Sequence, residues 1–184
     1  MKHVIRQYTL EMGALEVQYI EENFPEFRKK KTADEIITRL SDRESLILLS
    51  MAPAPDEPDQ LIPVAFKVGH ELREFETQAK LVDIVGQLLG CVQFSDRKIF
   101  YSWIGGTRQD WRGKGHYRAL TEQQEEWAHQ HGYHELVVKT KNKFYPLRGT
   151  LSHLYFNIVK FQPDLDDNRE SKLYMSKKIA AELL

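Results

Sequence analysis

The sequence predicts an α/β domain on a mixed sheet, and three observations carry that prediction. "SLILLSMA" (45–52) and "LIPVAFKVGHEL" (61–72) are apolar, β-branched runs flanking "PAPDEPDQ" (53–60). The prolines of that segment forbid helix and central strand, so the two runs read as an antiparallel hairpin. "KIFYSWIGG" (98–106), a helix from about His116 and "YHELVVKT" (133–140) form a strand-helix-strand crossover, which joins parallel strands. The third observation is length: 184 residues suit one domain spanning 1–184, able to bury roughly two-thirds of the surface its unfolded chain exposes.

The other elements follow in chain order. KHVIRQY (2–8) is a short strand, after which Leu10, Ala14, Val17, Ile20 and Phe24 recur at helical spacing up to Pro25. Thr32-Ala33-Asp34-Glu35 is a capping box, so a second helix runs through Ile36, Ile37 and Leu40. Leu81, Val82, Val85, Leu88 and Leu89 give a helical stripe over 77–90, although Gly86 and Gly90 each weaken it by roughly 1 kcal/mol relative to Ala. That helix packs on the domain or on a second subunit, which leaves a homodimer open. Tyr117, Leu120, Gln124, Trp127 and His131 share one face of the crossover helix, and Gly132 stands at a left-handed C-cap. The tail offers a helix near 146–158 and a last strand near 172–179.

Composition narrows function. Lys+Arg number 26 against 27 Asp+Glu, which argues against a general nucleic-acid binder. No run of about 18 apolar residues exists, so no membrane span is expected. The single cysteine, Cys91, cannot form an internal disulfide and reads as a small buried apolar residue; with no signal-peptide core at the amino terminus, a cytoplasmic protein is expected. His129, His131 and His134 straddle a helix end with no cysteine or spaced carboxylate beside them, so no metal site is expected. Lys139, Lys141 and Lys143 alternate at a strand end and read as a solvated face or as contacts to phosphates.

The motif with chemistry in it is "DWRGKGHYR" (110–118). A P-loop would need Gly at 108 and Ser or Thr at 115, where Arg108 and Gly115 stand; a dinucleotide fingerprint would need Gly at 118, which is Arg118. What remains is a strand, a tight turn with Gly113 and Gly115, and a helix start. The free N–H groups of such a start, with the positive end of the helix dipole, suit an anion.

This stretch resembles the acetyl-CoA signature of the GNAT N-acetyltransferase superfamily: Arg or Gln, two residues, Gly, one residue, Gly or Ala. Arg112 matches the first position and Gly115 the central glycine, while Tyr117 replaces the usual small residue at the last. The resemblance covers 98–142. "WIGGT" (103–107) stands where the family's strand bulge binds the pantetheine arm and polarises the thioester carbonyl, and Leu136, Val138 and Asn142 fit the strand after the helix. "LYFNIVKF" (154–161) loosely echoes the family's final Tyr and Gly-Phe motif, with Lys160 in place of Gly.

The resemblance implies a GNAT-like α/β fold, with a mixed, mostly antiparallel sheet, a central parallel strand-helix-strand crossover and flanking helices; 73–97 is then an insertion. It implies acetyl-CoA as co-substrate and an amine of a small molecule or protein as acceptor, with Gly105, Gly106, Thr107, Arg112, Gly113, Lys114, Gly115, His116, Tyr117 and Asn142 on the coenzyme. A protonated amine needs a base and the departing thiolate an acid. Glu71, beside His70 at the end of the third strand, is the candidate base, against the plainer reading of a solvated carboxylate; Tyr155 is the candidate acid, against a core or surface tyrosine. The alternatives are a non-catalytic CoA or acyl-CoA sensor or scaffold, and transfer to oxygen or of a longer acyl chain.

Overall fold

A computed structural model describes residues 2–25, 27 and 29–179. Its strands form one seven-stranded sheet in the order β1-β2-β3-β4-β5-β7-β6, and among the described residues there are five α-helices. The chain divides into two compact units, one comprising the residues up to His70 with Trp103–Gln124, the other Glu71–Ser102 with the residues from Glu125 onward.

In the first unit, β1 (Val4–Gln7) pairs antiparallel with β2 (Ser45–Pro53), and β2 with β3 (Leu61–Leu72). This is the expected hairpin. Ser50 faces Ala65 while Met51 faces Pro63, so Val64 is an extra residue in a bulge beside a proline that cannot donate to the ladder. Helix α1 (Leu10–Glu21) buries Ala14, Val17 and Ile20, and α2 (Ala33–Leu40) buries Ile36 and Leu40, against Ile47 and Leu49 of β2 and Phe66 and Val68 of β3. A Cβ on Gly13 would lie 2.7 Å from Ile47 Cγ2, so α1 sits close on β2. The capping box is formed: Glu35 N–H donates to Thr32 Oγ1 (3.1 Å) and Thr32 N–H to Glu35 Oε2 (2.9 Å).

In the second unit, the first half of β4 (Ile99–Thr107) runs parallel to β5 (Glu135–Lys141), with Ile99 beside Glu135 and Ser102 beside Val138. Helix α4 (His116–Gln130), whose residues up to Gln124 belong to the first unit, is the crossover between these two strands. β5 pairs antiparallel with β7 (Lys172–Lys178), and β7 with β6 (Asn157–Gln162). Phe100 and Tyr133 meet edge to face at 5.0 Å, with Trp127 5.5 Å from Phe100.

Three expectations need correction. Helix α3 (Ala79–Leu88) stops at Leu88 because Gly90 turns left-handed (φ 84). Cys91, just past that turn, is exposed and not a core residue. The tail helix α5 (Tyr145–His153) ends before 158: Tyr155 takes a left-handed backbone (φ 68), and the chain then enters β6, an edge strand that the sequence reading did not contain. No helix among the described residues is long and apolar enough to cross a membrane.

Candidate functional site

The Gly-Lys-Gly turn is built by left-handed backbone at Gly113 (φ 77) and Gly115 (φ 80), a conformation that costs a side-chain-bearing residue about 1 kcal/mol or more. It follows a short 3-10 turn at Gln109–Trp111 and opens α4 at His116. The first intrahelical bond comes from Ala119 N–H to Gly115 O (3.0 Å). The N–H groups of His116, Tyr117 and Arg118 therefore have no carbonyl ahead of them within the helix. Arg112, Lys114 and Gly115 are exposed around this end, so two cations and a helix dipole face solvent together. The arrangement fits an anionic group.

The turn is fixed from behind. His3 Nε2 bonds Lys114 O (2.8 Å), and the His3 ring lies 3.4 Å from where a Gly115 Cβ would be. His116 turns its side chain inward, its Nδ1 2.8 Å from Ser50 Oγ, with the His3 ring edge-on at 4.7 Å and Trp111 at 6.0 Å. Burial, then the neighbouring His3 and Lys114, hold the His116 imidazolium below the usual histidine range, so His116 is neutral at pH 7. Lys114 Nζ lies over Trp111 at 4.4 Å, and Arg112 Nε donates to Thr107 O (3.1 Å).

The two glycines of β4 answer to packing. A Cβ on Gly106 would fall 2.5 Å from Phe24 Cζ, and Phe24 is 3 % exposed with the Arg112 guanidinium 5.3 Å from its ring. A Cβ on Gly105 would fall 3.1 Å from Tyr117 Cε2 and 3.2 Å from Phe66 O. The Tyr117 ring thus occupies the space that Gly105 leaves. Tyr117, at the position where the signature has a small residue, sends its phenol inward to Lys67.

Lys67, on β3, is 1 % exposed. Its Nζ donates to Tyr117 Oη and to Thr121 Oγ1, both at 2.9 Å, while the Thr121 hydroxyl donates to Tyr117 O (2.8 Å). Burial pulls the Lys67 ammonium down to about 7 and pushes the Tyr117 phenol far above the usual tyrosine value. A lysine in a β-branched strand gives no signal of this from sequence. Glu21 is a second buried group that was missed: it accepts from Lys31 N–H, and burial raises its carboxyl above the usual range.

The remaining candidates lie in the second unit. Glu71 is ion-paired to Arg73 at 3.2 Å. Asn142 is engaged on both ends of its amide: Arg148 Nη1 donates to its Oδ1 (2.6 Å) and main-chain oxygen (3.0 Å), and its Nδ2 donates to Asn168 O (3.0 Å). Lys141 and Lys143 both pair with Glu170, whose carboxyl they hold down at about 2, so they are not simply a solvated face. Tyr155 is 79 % exposed, with Lys177 Nζ 5.9 Å from its ring. His131 stacks on Trp127 (3.9 Å) and His134 Nδ1 accepts from Lys98 N–H (2.9 Å), so these two histidines are spent on structure.

No protein-family model matches the chain, and no curated protein matches it in sequence. In structure it is similar to N-acetyltransferases over nearly its whole length. The ribosomal-protein-S18-alanine N-acetyltransferase from Escherichia coli superposes with a TM-score of 0.65 at 15 % identity, covering 100 % of this chain and 99 % of that one. NAA60 of Arabidopsis thaliana, in complex with acetyl-CoA, gives 0.71 at 9 % identity over 97 % and 99 %. An N-acetyltransferase from Staphylococcus aureus Mu50 gives 0.64 at 11 % identity, over 97 % and 99 %. The chain has the fold of the GNAT N-acetyltransferases.

Proposed function

We propose that the protein is an acetyl-CoA-dependent N-acetyltransferase that transfers acetyl to a primary amine of a small molecule or protein. One observation carries the reading: Arg112–Tyr117 forms a glycine turn at the start of α4, after β4 and a short 3-10 turn, with the first-turn N–H groups unspent by the helix. In this reading the N–H groups from Gly113 to Tyr117 hold the coenzyme's pyrophosphate, with Arg112 and Lys114 as counter-charges. The main chain of Gly105–Thr107 holds the thioester oxygen, a role that backbone donors fill without any particular side chain. Asn142 supports the coenzyme from the end of β5.

Glu71 takes the proton of the incoming amine and Tyr155 returns one to the departing thiolate. Arg73, 3.2 Å away, orients the Glu71 carboxylate. The E. coli neighbour is named for an alanine of a ribosomal protein, which favours protein amines as the first acceptors to try. Chain 1–184 acts as one catalytic domain, with 73–97 inserted in it.

The exposure and left-handed backbone of Tyr155 favour a second reading, a CoA-binding sensor without turnover. Thiol release from acetyl-CoA over a panel of amines and N-terminal peptides separates the two. Turnover that falls about 100-fold or more in E71Q supports the enzyme; coenzyme binding with no turnover on any amine supports the sensor.

A further inference from the structure

The buried Lys67 amine has no part in the chemistry above, yet it lies under the turn assigned to the coenzyme. Tyr117 is the second residue of α4 and Thr121 stands one turn on, so an amine bonded to both sits beneath the first two turns of the helix. Gly105 makes room for the arrangement: a Cβ there would fall 3.1 Å from the Tyr117 ring and 3.5 Å from the Lys67 stem. We propose that Lys67 takes up a proton when the coenzyme binds, becoming an internal counter-charge to its pyrophosphate. The inference rests on the coenzyme-binding reading of the turn.

Two opposing effects set the protonation of Lys67. A cation buried beneath a helix N-terminus pays desolvation and faces the positive end of the dipole, so the empty site favours the neutral amine. Consistent with this, burial brings the group to about 7. A pyrophosphate on the first turn reverses the sign of the local potential and favours the ammonium. The proton comes from solvent; Tyr117, the titratable group facing the amine from α4, keeps its own because its phenol is held far above the working range. Thr121 beside it does not titrate, and from β4 the residue beside its stem is Gly105. On the turn itself are Arg112, Lys114, and His116 with His3 behind it. His116, held below the usual histidine range by burial, is the competing source of a pH effect.

The test is calorimetric titration with coenzyme A in buffers of different ionisation enthalpy, from pH 6 to 8.5. 3′-Dephospho-coenzyme A serves as a second probe, because it lacks the phosphate monoester that itself titrates near pH 6. A binding advantage of about tenfold for the charged amine gives an uptake of about half a proton per coenzyme, peaking near pH 7.5 with both probes. K67M then binds about fivefold more weakly at pH 7 and loses the uptake. Binding without uptake, or uptake that peaks below about pH 6.5 and survives in K67M, overturns the proposal. If K67M does not fold, the position of the wild-type peak decides alone. Failure of the wild type to bind coenzyme A at millimolar concentration defeats the functional reading itself, a different result from binding without uptake.

Discussion

The turn at Arg112–Tyr117 and the segment from Asn142 to Phe161 carry two ends of the same family resemblance, and they are held in opposite ways. Around the turn, each part of the signature has a packing reason: His3 closes on Gly115, Ser50 takes His116, Phe24 requires Gly106, and Lys67 receives Tyr117. In the later segment Tyr155 stands in solvent, and β6 is an edge strand with Ile158 and Phe161 about half exposed. The difference teaches that a departure from a motif means different things by context. Tyr117 is a substitution with its compensation built in. Lys160, at the matching point of the final motif, has no structural explanation.

The largest effect that would break this comparison is at Gly106. A methyl group there would sit against the Phe24 ring, so G106A should cost about 1–3 kcal/mol, read as a fall in thermal midpoint of about 2–4 °C per kcal/mol for a chain of this size. An unchanged midpoint would mean that Phe24 yields freely and that β4 is not held as described. Lys67 comes next. Its folded value lies below the ordinary one, so between about pH 7 and 10 the unfolded chain binds a proton that the native chain does not. Stability therefore rises with pH across that window, by up to about 1.4 kcal/mol per pH unit, and K67M should flatten the slope in pH-dependent denaturation.

Smaller still is Gly113→Ala. Among the described residues, nothing beyond its chain neighbours lies within 4 Å of the added Cβ, so only the left-handed backbone is penalised, by about 1 kcal/mol. The smallest effect is E170Q. Lys141 and Lys143 depress the Glu170 carboxyl, so its contribution is present above about pH 4.5 and lost as pH falls toward 2. The variant should match the wild type near pH 2 and fall slightly below it in thermal midpoint at pH 7 to 8, so that its acid-side dependence flattens; the difference stays small because these side chains are partly exposed.

Legibility in the sequence followed the same division. Gly113, Gly115 and Gly132 mark backbone that only glycine adopts easily, and all three take positive φ, so the turn and the end of α4 could be read residue by residue. The hairpin and the capping box were legible for the same local reason. β6 was not, because it is an exposed edge with Asn157 and Lys160 in it, a bulge after Ile158, and a tyrosine in the left-handed turn that precedes it. Lys67 was not legible either. Its burial depends on Tyr117, fifty positions away, and no spacing rule links a strand lysine to a helix-start tyrosine. Pairings such as Glu71 with Arg73 and Asn142 with Arg148 likewise appear only once side chains are placed.

The central claim is that the turn at the start of α4 holds the pyrophosphate of coenzyme A. Isothermal titration of acetyl-CoA into the wild type and into Gly115→Ala tests it most directly. The account predicts saturable one-site binding to the wild type and a Kd raised about tenfold or more in the variant, whose added Cβ stands on left-handed backbone beside the His3 ring. Binding that is equally tight in the folded variant, or no binding to the wild type at millimolar acetyl-CoA, would contradict it.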